Sequence, residues 1–268
     1  AKNPGSWSES LKVCYIDDFA DQTLGITTTN LAGLGATVGM GITASVTGVL
    51  PGAGTTAVFT GYVKGIITGA TNDAGGASKL DVKIVSRVSS TGTETRIDYA
   101  EGDGFSSFDV ADSVFFTSDT GTVTAAQTPT TVVDWYDQQT LGLTNATVYW
   151  STLAPKPGTS IYVDDRQGHN DQLHIAVVDD TGDVTGIKGN ILEKHVDLSK
   201  ASDTVSNVNA PQRTYFKDYL RDLSANLYAG KDPLAAADAF HGTTPVATGF
   251  TAYTGVKTAS FTSDTSST

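Results

Sequence analysis

From Gln22 to Asn72 the chain carries one charged residue, Lys64, although charges recur on both sides of this stretch. The stretch is rich in Gly, Thr, Ala and Val, as the run GATVGMGIT at 35–43 illustrates. Glycine and β-branched residues disfavour helix, and β-branched residues fit the pleated surface of a strand. The block therefore predicts short strands joined by glycine-dependent turns, with a domain boundary near residue 22.

Alternating patterns extend this β character to about residue 130. In the run 80–88, Leu80, Val82 and Ile84 are expected on a buried face. Asp81 and Lys83 then point to the exposed face. Further strands are predicted at 56–62, 96–99 and 114–117. About six to eight short strands with Gly and Ser/Thr turns predict an antiparallel sandwich or barrel over 22–130.

The sequence changes character again after Thr131. The run VVDWYDQQ at 132–139 can begin at an N-cap on Thr130 or Thr131, and it predicts a short helix. Residues 147–150 predict a strand, after which two prolines end regular structure. Helix and strand are therefore mixed from this point on.

Two later segments have clear local patterns. Residues 173–178 and 184–187 flank a polar turn in which Gly182 can supply positive φ, so they predict a hairpin. Pro211, followed by apolar residues at helical spacing, predicts a helix over about 211–223 that packs one face onto a sheet.

Together these patterns predict an α+β fold that is predominantly β. Residues 1–21 and 131–268 are expected to form a discontinuous sheet-and-helix domain. Residues 22–130 are expected to form an inserted, antiparallel β-sandwich or barrel-like domain.

Composition narrows the functional classes. The formal net charge of −12 disfavours binding to nucleic-acid phosphates and to anionic membrane surfaces. Residues 31–50 lack charge, but their five glycines and β-branched residues favour a strand pair over a membrane span. Cys14 is the single cysteine, so no internal disulfide can form, and its apolar neighbours predict a buried core thiol.

Three groups of residues could suggest a ligand site, and each lacks the spacing that the chemistry needs. They are the glycines Gly33, Gly35 and Gly39, the acidic clusters Asp17, Asp18, Asp21 and Asp164, Asp165, Asp171, and the histidines His169, His174, His195 and His241. The glycines have no βαβ pattern around them, the acidic clusters lack the central Gly and terminal Glu of a calcium loop, and the histidines form no HxxxH pair.

The sequence therefore predicts no catalytic, cofactor-binding or metal-binding residue, and the chain is expected not to be an enzyme. Two alternatives stay open. Either acidic cluster could hold a calcium ion. Asp164 and Asp171 could act as a glycan-hydrolase pair, because sequence does not give the carboxylate separation on which that chemistry depends.

Four landmarks occur in order within residues 147–206. They are VYW at 148–150, APKPGTS at 154–160, NDQLHIAVVD at 170–179, and GNILEKHV at 189–196 followed by LSKASD at 198–203. The ILEK strand followed by SKASD is the most specific, and YFKDYL at 215–220, NPGSW at 3–7 and LKV at 11–13 add to it. On these residues the chain resembles the contractile tail sheath family of myovirus-type bacteriophages, most closely the sheaths of large marine cyanobacterial phages.

The resemblance covers residues 1–21 and about 131–230 and implies a structural role. Sheath subunits assemble into six-membered rings around a tail tube and contract to drive the tube through the host envelope, with no cofactor. The implied partners are other sheath subunits, the tail tube and baseplate proteins, in a virion assembled in the host cytoplasm. The family's carboxy-terminal core domain would follow residue 268, so the chain is expected to be a central fragment and monomeric by itself.

A cell-surface adhesin or carbohydrate-binding β module is the alternative from a different class. The Thr- and Gly-rich strands suggest it. Trp135 and Trp150, which we expect to be exposed, would supply its sugar-stacking rings.

Overall fold

The computed structural model describes residues 10–28, 30–49, 58–75, 77–96, 114–116, 127–206, 212–229 and 256–260. These residues contain the strands β1 (Leu11–Asp17), β2 (Gln22–Ile26), β3 (Gly41–Val49), β4 (Val58–Thr71), β5 (Ser78–Ser89), β6 (Glu94–Arg96), β7 (Val114–Phe116), β8 (Thr131–Asp134), β9 (Gln172–Asp179), β10 (Asn190–Ser199) and β11 (Val256–Ser260). The helices are α1 (Ile161–Asp164) and α2 (Phe216–Leu223), with 3-10 turns at Ala32–Leu34, Tyr136–Gln138 and Trp150–Thr152. The fold is α+β and predominantly β, as predicted.

Contacts divide the chain into two compact units. Unit 1 comprises Ala1–Asp18 and Gln139–Thr268, and unit 2 comprises Phe19–Gln138. The first and last strands of unit 2 pair with each other, with Gln22 opposite Asp134. The two ends of unit 2 therefore lie side by side, which is the arrangement that insertion of one domain into another requires.

The segment 131–139 departs from the prediction. Its first four residues form β8 on the edge of β2, and only Tyr136–Gln138 are helical, as one 3-10 turn. The β-branched residues Val132 and Val133 fit a strand, and the free side of β2 supplies the backbone partners that an isolated helix turn lacks. Residues 131–138 thus belong to unit 2 and not to the sheet-and-helix unit.

Unit 1 is built on an antiparallel sheet whose described strands lie in the order β10-β9-β1-β11. One face packs against α2 through a buried cluster of Leu11, Leu173, Ile175, Val177, Leu198, Leu220 and Leu227. The opposite face is covered by the irregular segment 139–160. There the Cys14 thiol donates to the carbonyl of Leu141 at 3.2 Å, and the Lys194 ammonium donates to the carbonyl of Leu153 at 3.0 Å.

Three local predictions for unit 1 need correction. The predicted strand at 147–150 is an isolated bridge at Tyr149 followed by a 3-10 turn, because Pro155 and Pro157 are close behind it. The strand of 173–178 is confirmed as part of β9, and Gly182 has the predicted positive φ of 88°. Its hairpin partner, however, is β10, and 184–187 lie in the connecting loop. α2 begins at Phe216, and Pro211 lies outside the described residues.

Unit 2 contains an antiparallel sheet whose described strands lie in the order β7-β3-β4-β5-β2-β8, with β6 on the end of β5. Leu80, Val82 and Ile84 are buried, as their alternation predicts. They pack with Leu24, Ile26, Leu31, Ala36, Ile42, Ala44, Val63, Ile67 and Val114. The strands predicted at 56–62, 96–99 and 114–117 correspond to β4, β6 and β7 at residues 58–62, 96 and 114–116. The other residues of these predictions, 56–57, 97–99 and 117, lie outside the described part of the chain.

Gly65 shows why this uncharged block needs glycine. A Cβ at Gly65 would lie 2.7 Å from Cγ1 of Val82 and 2.9 Å from the carbonyl oxygen of Lys83. These distances are far below van der Waals contact, so only glycine lets β4 and β5 approach here.

Cys14 is fully buried, as predicted, and burial raises the pKa of its thiol to about 12. At pH 8 we therefore expect a thiol-reactive dye to label Cys14 at least about a thousandfold more slowly than it labels the urea-unfolded chain, because the reacting species is the thiolate. Stopped-flow or manual labelling with an aromatic disulfide measures both rates. Labelling of the native protein within a factor of ten of the unfolded rate would contradict this placement.

Candidate functional site

The most specific residues of the sheath resemblance lie in consecutive elements of unit 1. We call residues 170–203 the landmark segment; it consists of β9, the loop 180–189, β10 and the turn after Ser199. β9 is paired on both sides, with β1 and with β10. In the described residues β10 lies at the edge of the sheet, and only its last residue, Ser199, makes a bridge on the outer side, with Tyr215. The segment thus supplies a buried strand and a sheet edge.

The edge strand β10 is irregular at two places. Its register with β9 shifts between Ile191 and Glu193 and again between His195 and Leu198. In the second irregularity Asp197 has a φ of 55°, and its N–H donates to Nδ1 of His174 at 3.0 Å. Nε2 of His174 therefore carries the proton and donates to the carbonyl of Pro155 at 2.8 Å. Bulges at an edge bend the strand and interrupt pairing, so β10 is not a flat template for an added strand.

Asp179, at the end of β9, organises the loop 180–189. Its buried carboxylate accepts hydrogen bonds from the Ser10 hydroxyl at 2.6 Å, from the Gly182 N–H at 2.9 Å and from the Val184 N–H at 3.1 Å. The N–H and hydroxyl of Thr185 add two more, at 2.7 and 2.9 Å. Burial alone raises the pKa of Asp179, but the hydrogen bonds from Ser10, Thr185 and Gly182 outweigh it and lower the pKa to about 2.

Asp171, at the other end of β9, closes the turn after β10. It accepts from the Ser160 N–H at 2.7 Å and from the Ser160 hydroxyl at 2.9 Å, and the Ser199 hydroxyl also donates to it. Asp164 and Asp165, its neighbours in the predicted acidic cluster, are exposed on and just after α1. The three carboxylates therefore do not point to one common site, because the Asp171 carboxylate accepts hydrogen bonds from Ser160 and from Ser199 at the end of β10.

The acidic cluster near the amino terminus is also divided among separate partners. Asp17 faces Lys200 at 3.4 Å and Asp18 faces Lys156 at 3.3 Å, both within unit 1. Asp21 belongs to unit 2, where it faces Lys83 at 3.0 Å. Each carboxylate is thus held by its own lysine, which is the arrangement of structural ion pairs.

Four of the histidines and glycines that lack ligand spacing in the sequence take structural positions. His174 and His195 are buried strand residues, and His241 lies outside the described residues. Gly35 ends the 3-10 turn with a φ of 77°, and Gly39 has a φ of 91° in the turn before β3. In the described part of the chain no three His, Cys, Asp or Glu side chains are grouped to hold a metal ion. No helix among those residues is long and apolar enough to span a bilayer.

Sequence reasoning missed two carboxylates that each accept several hydrogen bonds, Asp179 and Glu193. The pattern DDTGDVT at 179–185 contains Thr and Gly at offsets that suit an Asx-type turn, so a signal for the Asp179 centre is present. No such signal exists for Glu193, whose partners His195, Ser224 and Asn226 are up to 33 residues away. Long-range hydrogen bonds of this kind follow from packing and not from local pattern.

Comparisons with protein-family profiles, with curated proteins and with solved structures found no match to this chain.

Proposed function

We propose that this chain is a structural subunit of a contractile phage tail sheath, which assembles with copies of itself around a tail tube and contracts to drive the tube through the host envelope. The proposal rests on the sheath-like landmarks at 147–206. One observation carries it further: these landmarks fall on a single contiguous part of unit 1, and their polar side chains serve its internal architecture.

The polar side chains of the landmark segment hold loops and turns in place. Asp179 fixes the loop after β9, Asp171 fixes the turn after β10, and His174 fixes the bulge at Asp197. A building block whose function is carried by its surfaces needs such internal ties, because its shape must be the same in every copy of a symmetric assembly. An active site would instead place polar groups toward a substrate.

The assembly proposal predicts two outcomes. The full-length native polypeptide should form rings or tubes of uniform diameter under negative-stain electron microscopy. The residues that carry the resemblance, 1–21 and about 131–230, do not include the strand-exchanging part of the sheath family, so the 268-residue chain by itself should sediment as a monomer of 27.9 kDa. The short chain is thus the control for the long one. A full-length protein that stays dispersed at high concentration would contradict the proposal.

The adhesin alternative loses one of the features that suggested it. Trp135 and Trp150 are 1% and 0% exposed, so neither ring can stack on a sugar, and the expectation that they are exposed was wrong. Each ring packs inside its own unit, Trp135 beside Phe19 and Trp150 beside His174. Saturable binding on a glycan array would nevertheless favour this alternative over a sheath.

A further inference from the structure

The six residues after α2 are held against the sheet of unit 1. We call residues 224–229 the strap. Leu227 of the strap is buried in the apolar cluster with Leu220 and Ile175. The strap leaves the end of α2 beside β10, and Ser224 and Asn226 both reach back to that strand.

One carboxylate receives these contacts. Oε1 of Glu193 accepts from the N–H of Asn226 at 2.8 Å and from its side-chain amide at 2.6 Å. Oε2 accepts from the Ser224 hydroxyl at 2.5 Å and from Nε2 of His195 at 2.7 Å. The Ser224 oxygen in turn accepts from the N–H of Leu227 at 2.9 Å, so the position of Leu227 depends on Glu193 through one intermediate group.

We propose that Glu193 is a latch: its charged carboxylate holds the strap on β10, and loss of that charge releases the strap while the sheet stays paired. The selectivity follows from the geometry. The β9–β10 ladder is made by backbone groups and does not use the Glu193 side chain. Four donors converge on the carboxylate, whereas a neutral acid or amide must present one donor of its own, so the Ser224 hydroxyl or the His195 ring would have to reverse its role to receive it. This proposal stands on the contacts of unit 1 and does not depend on the sheath assignment.

The surroundings of Glu193 give the direction of the pH dependence. The titratable group in contact with it is His195 on its own strand, at 2.7 Å, and the ring of Tyr219 on α2 meets the His195 ring edge-on at 5.7 Å. On the strap, Tyr228 is 60% exposed, and the two donors Ser224 and Asn226 do not titrate. Burial raises the pKa of Glu193, but the hydrogen bonds from Ser224, His195 and Asn226 outweigh it and hold the pKa below its ordinary range. The latch is therefore closed above the ordinary carboxyl pKa and opens as pH falls through the lowered one.

Hydrogen exchange measured by mass spectrometry tests the latch in the whole chain. In Glu193→Gln, and in Asn226→Ala, which leaves β10 unchanged, the strap amides should exchange at least about tenfold faster, with β9 amides as in wild type. Asp222→Asn is the matched control, since Asp222 is an exposed carboxylate on α2 that pairs with Arg221 at the surface. The strap and β9 amides of Asp222→Asn should exchange at wild-type rates.

A pH series separates the latch from a general structural role. After correction for intrinsic exchange rates, the strap amides of the wild type should lose protection as pH falls below the ordinary carboxyl pKa, while in Glu193→Gln they should exchange fast at every pH. Labelling of Cys14 should stay slow in both variants, because it reports opening of the whole unit. The proposal would be overturned if strap and β9 amides exchanged equally faster in Glu193→Gln. It would also be overturned if the exchange rates of the strap amides were unchanged in both variants.

Discussion

Replacing Asp179 by Asn should lower the free energy of unfolding of unit 1 by about 3 kcal/mol. The carboxylate accepts five hydrogen bonds in a site that excludes water, from Ser10, Gly182, Val184 and Thr185. An amide accepts at its oxygen alone and turns its NH2 group toward donors. The loop 180–189 would therefore lose its centre, and Ser10 would lose its tie to β9.

Urea denaturation followed by labelling of Cys14 measures this effect, since Cys14 is the single thiol of the chain and lies in the sheet of unit 1. The control is Asp183→Asn in the same loop, where the exposed carboxylate accepts from the Thr181 hydroxyl. We expect the control to change stability by less than about 0.5 kcal/mol. Similar effects of the two substitutions would show that Asp179 is not the centre of the loop.

The Asp179 effect should depend on pH in a defined direction. The pKa of Asp179 is about 2 in the folded chain and near 3.8 when unperturbed, so its ionised form stabilises the fold. That contribution, roughly 2 kcal/mol, is complete above the unfolded pKa and is lost as pH falls from about 4 to about 2. The stability difference between wild type and Asp179→Asn should therefore narrow over this interval. A difference that is constant from pH 6 to pH 2 would contradict the charged role.

Replacing Asp21 by Ala should destabilise unit 2 by about 3 to 5 kcal/mol, because it removes the partner of a buried charge. The Asp21 side chain is fully buried, and its two oxygens are divided between the Lys83 ammonium at 3.0 Å and the N–H of Ile84 at 2.7 Å. Alanine would leave the Lys83 ammonium without this ion pair and the Ile84 N–H without this hydrogen-bond acceptor. Asp21→Asn should cost less, since it keeps an acceptor for the Ile84 N–H.

Hydrogen exchange of β2 and β5 peptides together with a urea titration checks the Asp21 prediction. Asp137→Ala is the control, because Asp137 is an exposed carboxylate of the same unit. Asp21→Ala also tests the prediction of an inserted domain, because we expect such a domain to open while unit 1 stays folded. In that case β2 and β5 should exchange faster while the labelling rate of Cys14 in unit 1 stays at the wild-type value. If exchange in β2 and β5 and labelling of Cys14 both became faster, the two units would unfold as one cooperative unit.

Sequence pattern predicted the class of the fold and most of its strands. Leu80, Val82 and Ile84 alternate with charged residues, and alternation reports directly which face of a strand is buried. The same reasoning placed Cys14 in the core and positive φ at Gly182. It failed at 131–134, where a helix-like start became β8, because the free edge of β2 is not visible in the local sequence.

The candidate site divides in the same way. The sequence by itself determined the β character of most strand segments, where the charge-free block begins, and that the acidic and histidine clusters lack ligand spacing. Only the tertiary structure decided the partner of each buried polar group. It placed Glu193 under the strap and gave Asp17, Asp18 and Asp21 three different lysines. The physical reason is that periodicity encodes the environment of one element, whereas a hydrogen bond between distant residues exists only after two elements have packed.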